Sequence, residues 1–216
     1  MKEHDIKLDH EREQRIGFDE AIYSAGKSVA QLEAIIAQAL GARTPRLFTR
    51  LDAFKYEALD AACRAALDFD PISRTAYLGE RRRKAAATRV AIVTGGSSDM
   101  PVGREAARTL EYYGQGALHI ADVGVAGLWR LLERVEDIRP MRVVIAVAGM
   151  EGALPSVLGG LVPGVVIALP TSVGYGVSEG GRVALDSALA SCAPGLLTVN
   201  IDNGYGAACA ALRILR

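Results

Sequence analysis

Between Arg142 and Glu179 the chain carries one charged side chain, Glu151, within Val147-Ala-Gly-Met-Glu-Gly-Ala-Leu-Pro-Ser156. Keeping a carboxylate ionised in an apolar setting is costly unless something compensates, so this placement predicts a raised pKa and a group able to take and return a proton. Two further segments have the composition of ligand cradles. Thr94-Gly-Gly-Ser-Ser-Asp-Met-Pro101 joins glycines that admit close backbone approach (Gly95, Gly96) to hydroxyls (Ser97, Ser98) and a carboxylate (Asp99), with Pro101 suited to a first helical turn. Asn200-Ile-Asp-Asn-Gly-Tyr-Gly206 likewise runs from an apolar stretch into a helix start, offering Asp202, Asn203 and Gly204. Each is either a phosphate cradle or, more plainly, a turn with a helix cap, and two at one sheet edge suit a ligand with more than one phosphate.

The remaining reactive residue types read more blandly. Cys192, in Ala190-Ser-Cys-Ala-Pro-Gly195, follows a helix, where the dipole does not favour a thiolate, and by itself reads as a small buried hydrophobe. Cys209 falls in an alanine-rich helix and His119 on a strand, both expected to be packed, while His4 and His10 belong to a charged arm. The three cysteines form no CxxC pair or disulfide framework, and no Ser-His-Asp order or metal-binding histidine spacing is present. Arg81, Arg82, Arg83 and Lys84 read as a solvated linker, or as cations meeting a ligand phosphate across a subunit contact.

The elements that must position these groups change character near residue 85. Before it, Ala21–Ser24 suggests a short strand, Ser28–Leu40 a capped helix stopped by Gly41, Arg46–Arg50 an alternating strand and 52–66 a helix. After it come five apolar runs, Val90–Thr94, Ala117–Ala121, Val143–Val147, Val165–Leu169 and Leu196–Asn200, with helical segments between them. This predicts an α/β, flavodoxin-like parallel sheet covered by helices (85–216) behind a small N-terminal α+β domain and linker (1–84), with ligands at the carboxyl ends of the strands. Lys plus Arg equals Asp plus Glu at 25 each, so no global field draws nucleic acid or an anionic membrane. Seven glycines and three prolines break the apolar stretch 143–178, which argues against a membrane span. The charged first nine residues lack a secretory core, and a reduced cytoplasm is the expected compartment.

Three segments, Gly95–Asp99, Ala148–Pro155 and Pro170–Gly176, resemble the phosphate loop, the AGGAAHLPG-type loop and the PVQS-type loop of the PurE class of aminoimidazole ribonucleotide carboxylases and mutases, a similarity over about 89–216. Two departures stand out: Ala153 occupies the histidine position of the second loop, and Asp122-Val-Gly-Val-Ala-Gly127 stands where a SAHR motif supplies the catalytic histidine. Over nearly the whole length the chain resembles the LarB family of nickel-pincer nucleotide assembly, through Leu8–Gly17 with Gly26-Lys27, Asp122–Leu128, Ala148–Ser156, Thr171–Gly176, Ser191-Cys192 and Val199–Gly206. Trp129 departs from the histidine more usual there, and a short C-terminal tail is expected beyond Arg216.

This second resemblance implies carboxylation of the pyridinium ring of nicotinic acid adenine dinucleotide with CO2 or bicarbonate as co-substrate and no biotin. Hydrolysis of the phosphoanhydride with Mg2+ would follow. Cys192 would be the thiolate adding to the ring and Glu151 the base; Gly95–Asp99, Asp122, Gly149, Met150, Thr171, Ser172 and Asp202–Gly204 would hold substrate. Asp99 or Asp202 would be the metal ligands, with Arg12, Arg15 and Lys27 near the diphosphate. Homo-oligomers, octamers by the PurE likeness, are implied as well. The alternatives are a PurE-like carboxylase or mutase and a nucleotide-binding regulatory module in which Glu151 and Cys192 are only core residues.

Overall fold

The computed structural model describes residues 6–9 and 11–216, which divide into two compact units, one ending at Arg82 and the other Arg83–Arg216. His4 and His10, assigned to a charged arm, lie outside the described residues.

In the first unit, α1 (Arg12–Ile16), β1 (Ile22–Tyr23), α2 (Val29–Gly41), β2 (Arg46–Thr49), α3 (Ala53–Ala58), α4 (Ala61–Ala66), β3 (Leu67–Asp70) and β4 (Thr75–Leu78) follow in order. The sheet order is β1-β2-β4-β3, parallel only between β1 and β2. Ser28 starts α2 through a reciprocal cap: its Oγ accepts from Gln31 N at 3.2 Å while its own N–H donates to Gln31 Oε1 at 2.9 Å. Gly41 is not the stop; it is the last helical residue, and the left-handed position falls on Arg43 at φ 52°. The continuous helix expected over 52–66 is two helices, because Asp60 caps a second start by accepting from Cys63 N at 2.7 Å. Strand β2 is buried at all four positions rather than alternating, and the β3–β4 hairpin was not anticipated. Leu32, Ile35, Ile36, Phe48 and Leu51 fill this unit's core.

The second unit runs β5 (Val90–Thr94), α5 (Met100–Tyr112), β6 (Ala117–Ile120), α6 (Leu128–Leu132), α7 (Val135–Ile138), β7 (Val143–Ala148), α8 (Leu154–Gly159), β8 (Val165–Pro170), α9 (Arg182–Leu189), β9 (Leu197–Thr198) and α10 (Gly204–Leu215). The strands are parallel in the order β6-β5-β7-β8-β9, the doubly wound arrangement expected from the apolar runs. Alternate residues serve opposite faces: Ile92, Val143, Ile145 and Val147 pack with α5 and α10, whereas Val93, Val144 and Ala146 pack with Leu131, Ile138, Leu154 and Leu158. Every residue of β7 is buried, as a strand covered on both faces requires. His119 is exposed on the edge strand β6, not packed as expected. Parallel strands place all five carboxyl ends at one edge, so the loops after β5, β6, β7, β8 and β9 emerge together. Among the described residues no helix is long and apolar enough to cross a membrane.

Candidate active site

Four of those five loops enclose a cleft of about 350 Å3. Gly95, Gly96, Ser98 and Asp99 come from the first loop, Asp122 from the second with Arg130 of α6 behind it, Gly149, Met150 and Glu151 from the third, and Val173 from the fourth. Six non-glycine residues among those described have positive φ, and three of them are here or in the fifth loop: Asp122 (59°), Met150 (52°) and Asp202 (54°). Such conformations cost energy and persist where surrounding contacts over-determine them, which is common at functional sites.

Those contacts are visible. Asp99 is 4% exposed; its Oδ2 accepts from Gly96 N at 2.8 Å and its Oδ1 from the Thr171 hydroxyl at 2.6 Å. The first and fourth loops are thereby tied together across the end of β7. Gly149 lies between them, where an added Cβ would stand 2.1 Å from Val173 O and 2.7 Å from Thr171 Oγ1. Only a glycine fits, and the adjacent Met150 N donates to Val173 O at 2.8 Å. Gly124 of the second loop abuts Gly95 O in the same way, at 2.8 Å from an added Cβ.

Glu151 lines the cleft but is exposed, which corrects the expectation of a carboxylate in a dry loop. The apolar residues on either side of it are consumed by β7 and α8, and the loop between those elements emerges at the sheet edge. Arg130 was not anticipated. It is the cation among the lining residues, held by Asp122 Oδ2 at 2.8 Å and folded over Gly127, whose absent Cβ leaves room for the guanidinium. Its signal in the sequence, a cation one short turn beyond a glycine-rich loop, does not tell where the side chain aims.

Several expected site residues lie elsewhere. Ser97 is exposed beside the cleft without lining it, and Thr171 is buried beneath it. Ser172 N donates to Asp202 Oδ1 at 2.8 Å, joining the fourth loop to the fifth. Asn203 caps α10 by accepting from Gly206 N at 2.8 Å, and Gly204 is buried against α5, with an added Cβ 2.6 Å from Val102 O. The Asp202–Gly204 segment is thus helix start and loop clamp, with none of its residues lining the cleft. Both oxygens of Asp99 accept hydrogen bonds inside the protein, and Oδ1 of Asp202 accepts from Ser172 N; among the described residues no cluster of three His, Cys, Asp or Glu side chains is placed to hold an ion.

Cys192 is a free, exposed thiol, not a core residue. It lies in the turn from α9 to β9, at the amino end of the strands. Gly152 packs on Ala184 near the start of α9, whereas Ser191 Oγ meets Ser156 Oγ at 2.6 Å beyond its end. Glu151 and Cys192 are therefore separated by roughly the length of this helix, about 12 Å at 1.5 Å per residue. Cys192 does not line the cleft that holds Glu151. Arg12, Arg15 and Lys27 belong to the first unit, where Arg15 bonds Asp9 (Nη1 to Oδ1, 3.0 Å) and holds that carboxyl below its usual range. Arg82 pairs with Glu13 at 2.6 Å in the same unit.

Comparison with known proteins agrees with this two-part construction. Residues 3–81 match the model of the LarB/PurE-like N-terminal domain, and residues 89–216 match that of AIR carboxylase. The chain is 35% identical to the uncharacterized protein MJ0165 of Methanocaldococcus jannaschii, over 94% of this chain and 80% of that one. It is also 34% identical to the N5-carboxyaminoimidazole ribonucleotide mutases of M. jannaschii and Pyrococcus horikoshii, over 58% of this chain and 78% and 71% of theirs. A carboxylase-type α/β domain carrying the LarB-type N-terminal domain identifies the chain as a member of the LarB family.

Proposed function

We propose that this protein carboxylates the pyridinium ring of nicotinic acid adenine dinucleotide at its fifth position, using CO2 or bicarbonate, and hydrolyses the phosphoanhydride to give pyridinium-3,5-biscarboxylic acid mononucleotide and AMP. The observation that carries this reading over purine carboxylation is the lining of the cleft: among the described residues Glu151 is there and no imidazole is, with Ala153 at the histidine position and Asp122 in the segment replacing the other histidine.

A pyridinium ring is electron-poor and does not attack CO2. Addition of the Cys192 thiolate forms a C–S bond and turns the ring into a dienamine whose fifth carbon donates its electron pair to CO2. Glu151 then accepts the proton at that carbon, and the returning electrons expel the thiolate, so aromaticity is restored and Cys192 is regenerated. Arg130 exchanges Asp122 for a phosphate of the dinucleotide, and the glycines of the first loop admit that phosphate to the α5 end. Hydrolysis adds water across the diphosphate. The Mg2+ implied by the resemblance finds no cage of carboxylates among the described residues, and no step here is assigned to it.

Because Cys192 does not line the Glu151 cleft of its own subunit, the reading takes the site as shared within a homo-oligomer, Cys192 of one copy reaching the Glu151 cleft of another. The wild-type protein is incubated with the dinucleotide, bicarbonate and Mg2+; release of AMP with a product heavier by one carboxylate supports the function, and binding without turnover leaves only a nucleotide-binding module. Cys192→Ala and Glu151→Gln are each expected to lose carboxylation. Mixed and reassembled, they regain up to about a quarter of the activity, since random pairing makes that share of sites whole. A mixture as inactive as its parts, beside an active wild type, rules out the shared site alone.

A further inference from the structure

The fourth loop, residues 171–181, has a pinned stem and an unpacked tip. At the stem, Thr171 bonds Ala148 O through its N–H at 3.0 Å and Asp99 through its hydroxyl, and Val173 O accepts from Met150 N. The two ends of the loop touch, since an added Cβ on Gly181 would stand 2.5 Å from Thr171 O. Beyond the stem, Tyr175 is 76% exposed and Val177 91% exposed. Gly174 and Gly176 flank the tyrosine, whose own backbone is extended (φ −145°), and Gly176 and Gly180 take φ values of 58° and 74°. A large ring held out on a glycine-flanked tip has given up burial, and loops are where binding groups are placed on a rigid scaffold.

The cleft lacks what that ring would supply. Among the described residues its lining contains carboxylates, a guanidinium, glycines and aliphatics, and no aromatic side chain. Val173, which does line it, precedes Tyr175 by two residues, roughly 7 Å of extended chain. Trp129, also exposed, is adjacent to Arg130 on α6; successive helical residues diverge, so with Arg130 aimed into the cleft Trp129 is directed away from it. Resting on the function proposed above, we infer that Tyr175 is the residue that recognises the substrate's ring: its phenol face covers the positively charged pyridinium when the dinucleotide is bound, discriminating a cationic ring from a neutral one.

The test compares the affinity of the full-length protein for nicotinic acid adenine dinucleotide and for its reduced dihydropyridine form, which keeps the carboxylate and phosphates but loses the ring charge. Tyr175→Ala is expected to weaken binding of the oxidised form about 5- to 30-fold and of the reduced form less than about twofold, whereas Tyr175→Phe retains both. Equal weakening of the two forms, no weakening, or dissociation of the oligomer by Tyr175→Ala overturns the assignment, the last by showing that the ring packs between copies. If the wild type binds neither form, the functional reading itself fails; if it binds and turns over the dinucleotide while Tyr175→Ala is unaffected, only the role of Tyr175 does.

Discussion

Replacing Thr171 with valine removes one hydroxyl at nearly constant shape from the contact that locks the first loop of the cleft to the fourth. The Thr171 Oγ1 to Asp99 Oδ1 bond is 2.6 Å long, and the two residues are 0% and 4% exposed. A hydrogen bond to a charged group contributes about 1.5–3 kcal/mol, and burial leaves Asp99 no water to take the hydroxyl's place. Thr171→Val should therefore destabilise the protein by about 2 kcal/mol and lower the thermal midpoint by roughly 4–8 °C. The assay is a double-mutant cycle with Asp99→Asn, read by denaturant unfolding. If the two residues act through each other, the coupling energy is about 1.5–3 kcal/mol; below about 0.5 kcal/mol, Asp99 is not the clamp described here. Activity supplies a second reading. A loop released to move by about 1 Å is expected to cost up to about 100-fold in turnover, so a variant that unfolds early but retains full activity would falsify the link between this bond and the geometry of the site.

Other perturbations probe the same architecture. Gly149→Ala places a Cβ 2.1 Å from Val173 O and should cost at least about 2 kcal/mol, whereas Gly160→Ala, with its nearest contact at 3.6 Å, should change the unfolding midpoint little; equal midpoints refute the close-approach argument. Arg130→Ala removes the cation of the cleft and is expected to raise the KM for the dinucleotide about 10- to 100-fold with a smaller effect on kcat, so an unchanged KM denies it the phosphate. In native protein, iodoacetamide should label exposed Cys192 and spare Cys63, whose thiol is pushed up to about 11 by burial and by the neighbouring Asp60; mass mapping after brief labelling checks this. The same shift has a stability consequence. An unfolded Cys63 ionises from about pH 9 and the folded one only near 11, so alkali favours the unfolded chain across that window. Stability should fall from pH 9 to 11 with a slope that Cys63→Ala reduces; identical slopes count against a buried neutral thiol.

Local pattern carried the second unit almost entirely. Five apolar runs with helices between them admit few arrangements other than a parallel sheet buried on both faces, and Val143–Ala148 is buried at every position for that reason. The first unit was less legible. Asp60 interrupts a helical apolar pattern with a cap that the pattern alone does not reveal, and Leu67–Leu78 forms a hairpin whose strands show weak alternation, because β4 is buried throughout while β3 is mixed.

For the site, the chain by itself determined which residue types stand at the carboxyl ends of the strands, because parallel topology and apolar patterning place any residue after a strand there. The Gly95–Asp99 loop was found that way, Glu151 as the one charge of an apolar stretch, and Asp122 only through the family resemblance. Exposure, aim and partnership were decided by the tertiary structure. The apolar neighbours of Glu151 are spent on β7 and α8, so the carboxylate stands in the open cleft. Asp99 meets a hydroxyl 72 residues away and becomes a clamp, and Asn203 turns inward as a helix cap. Arg130 reaches the cleft because Gly127 leaves it room, and an eight-residue helix separates Cys192 from Glu151. Short-range sequence patterns encode which face of an element is apolar; the meeting of two side chains far apart in the chain depends on how those faces pack.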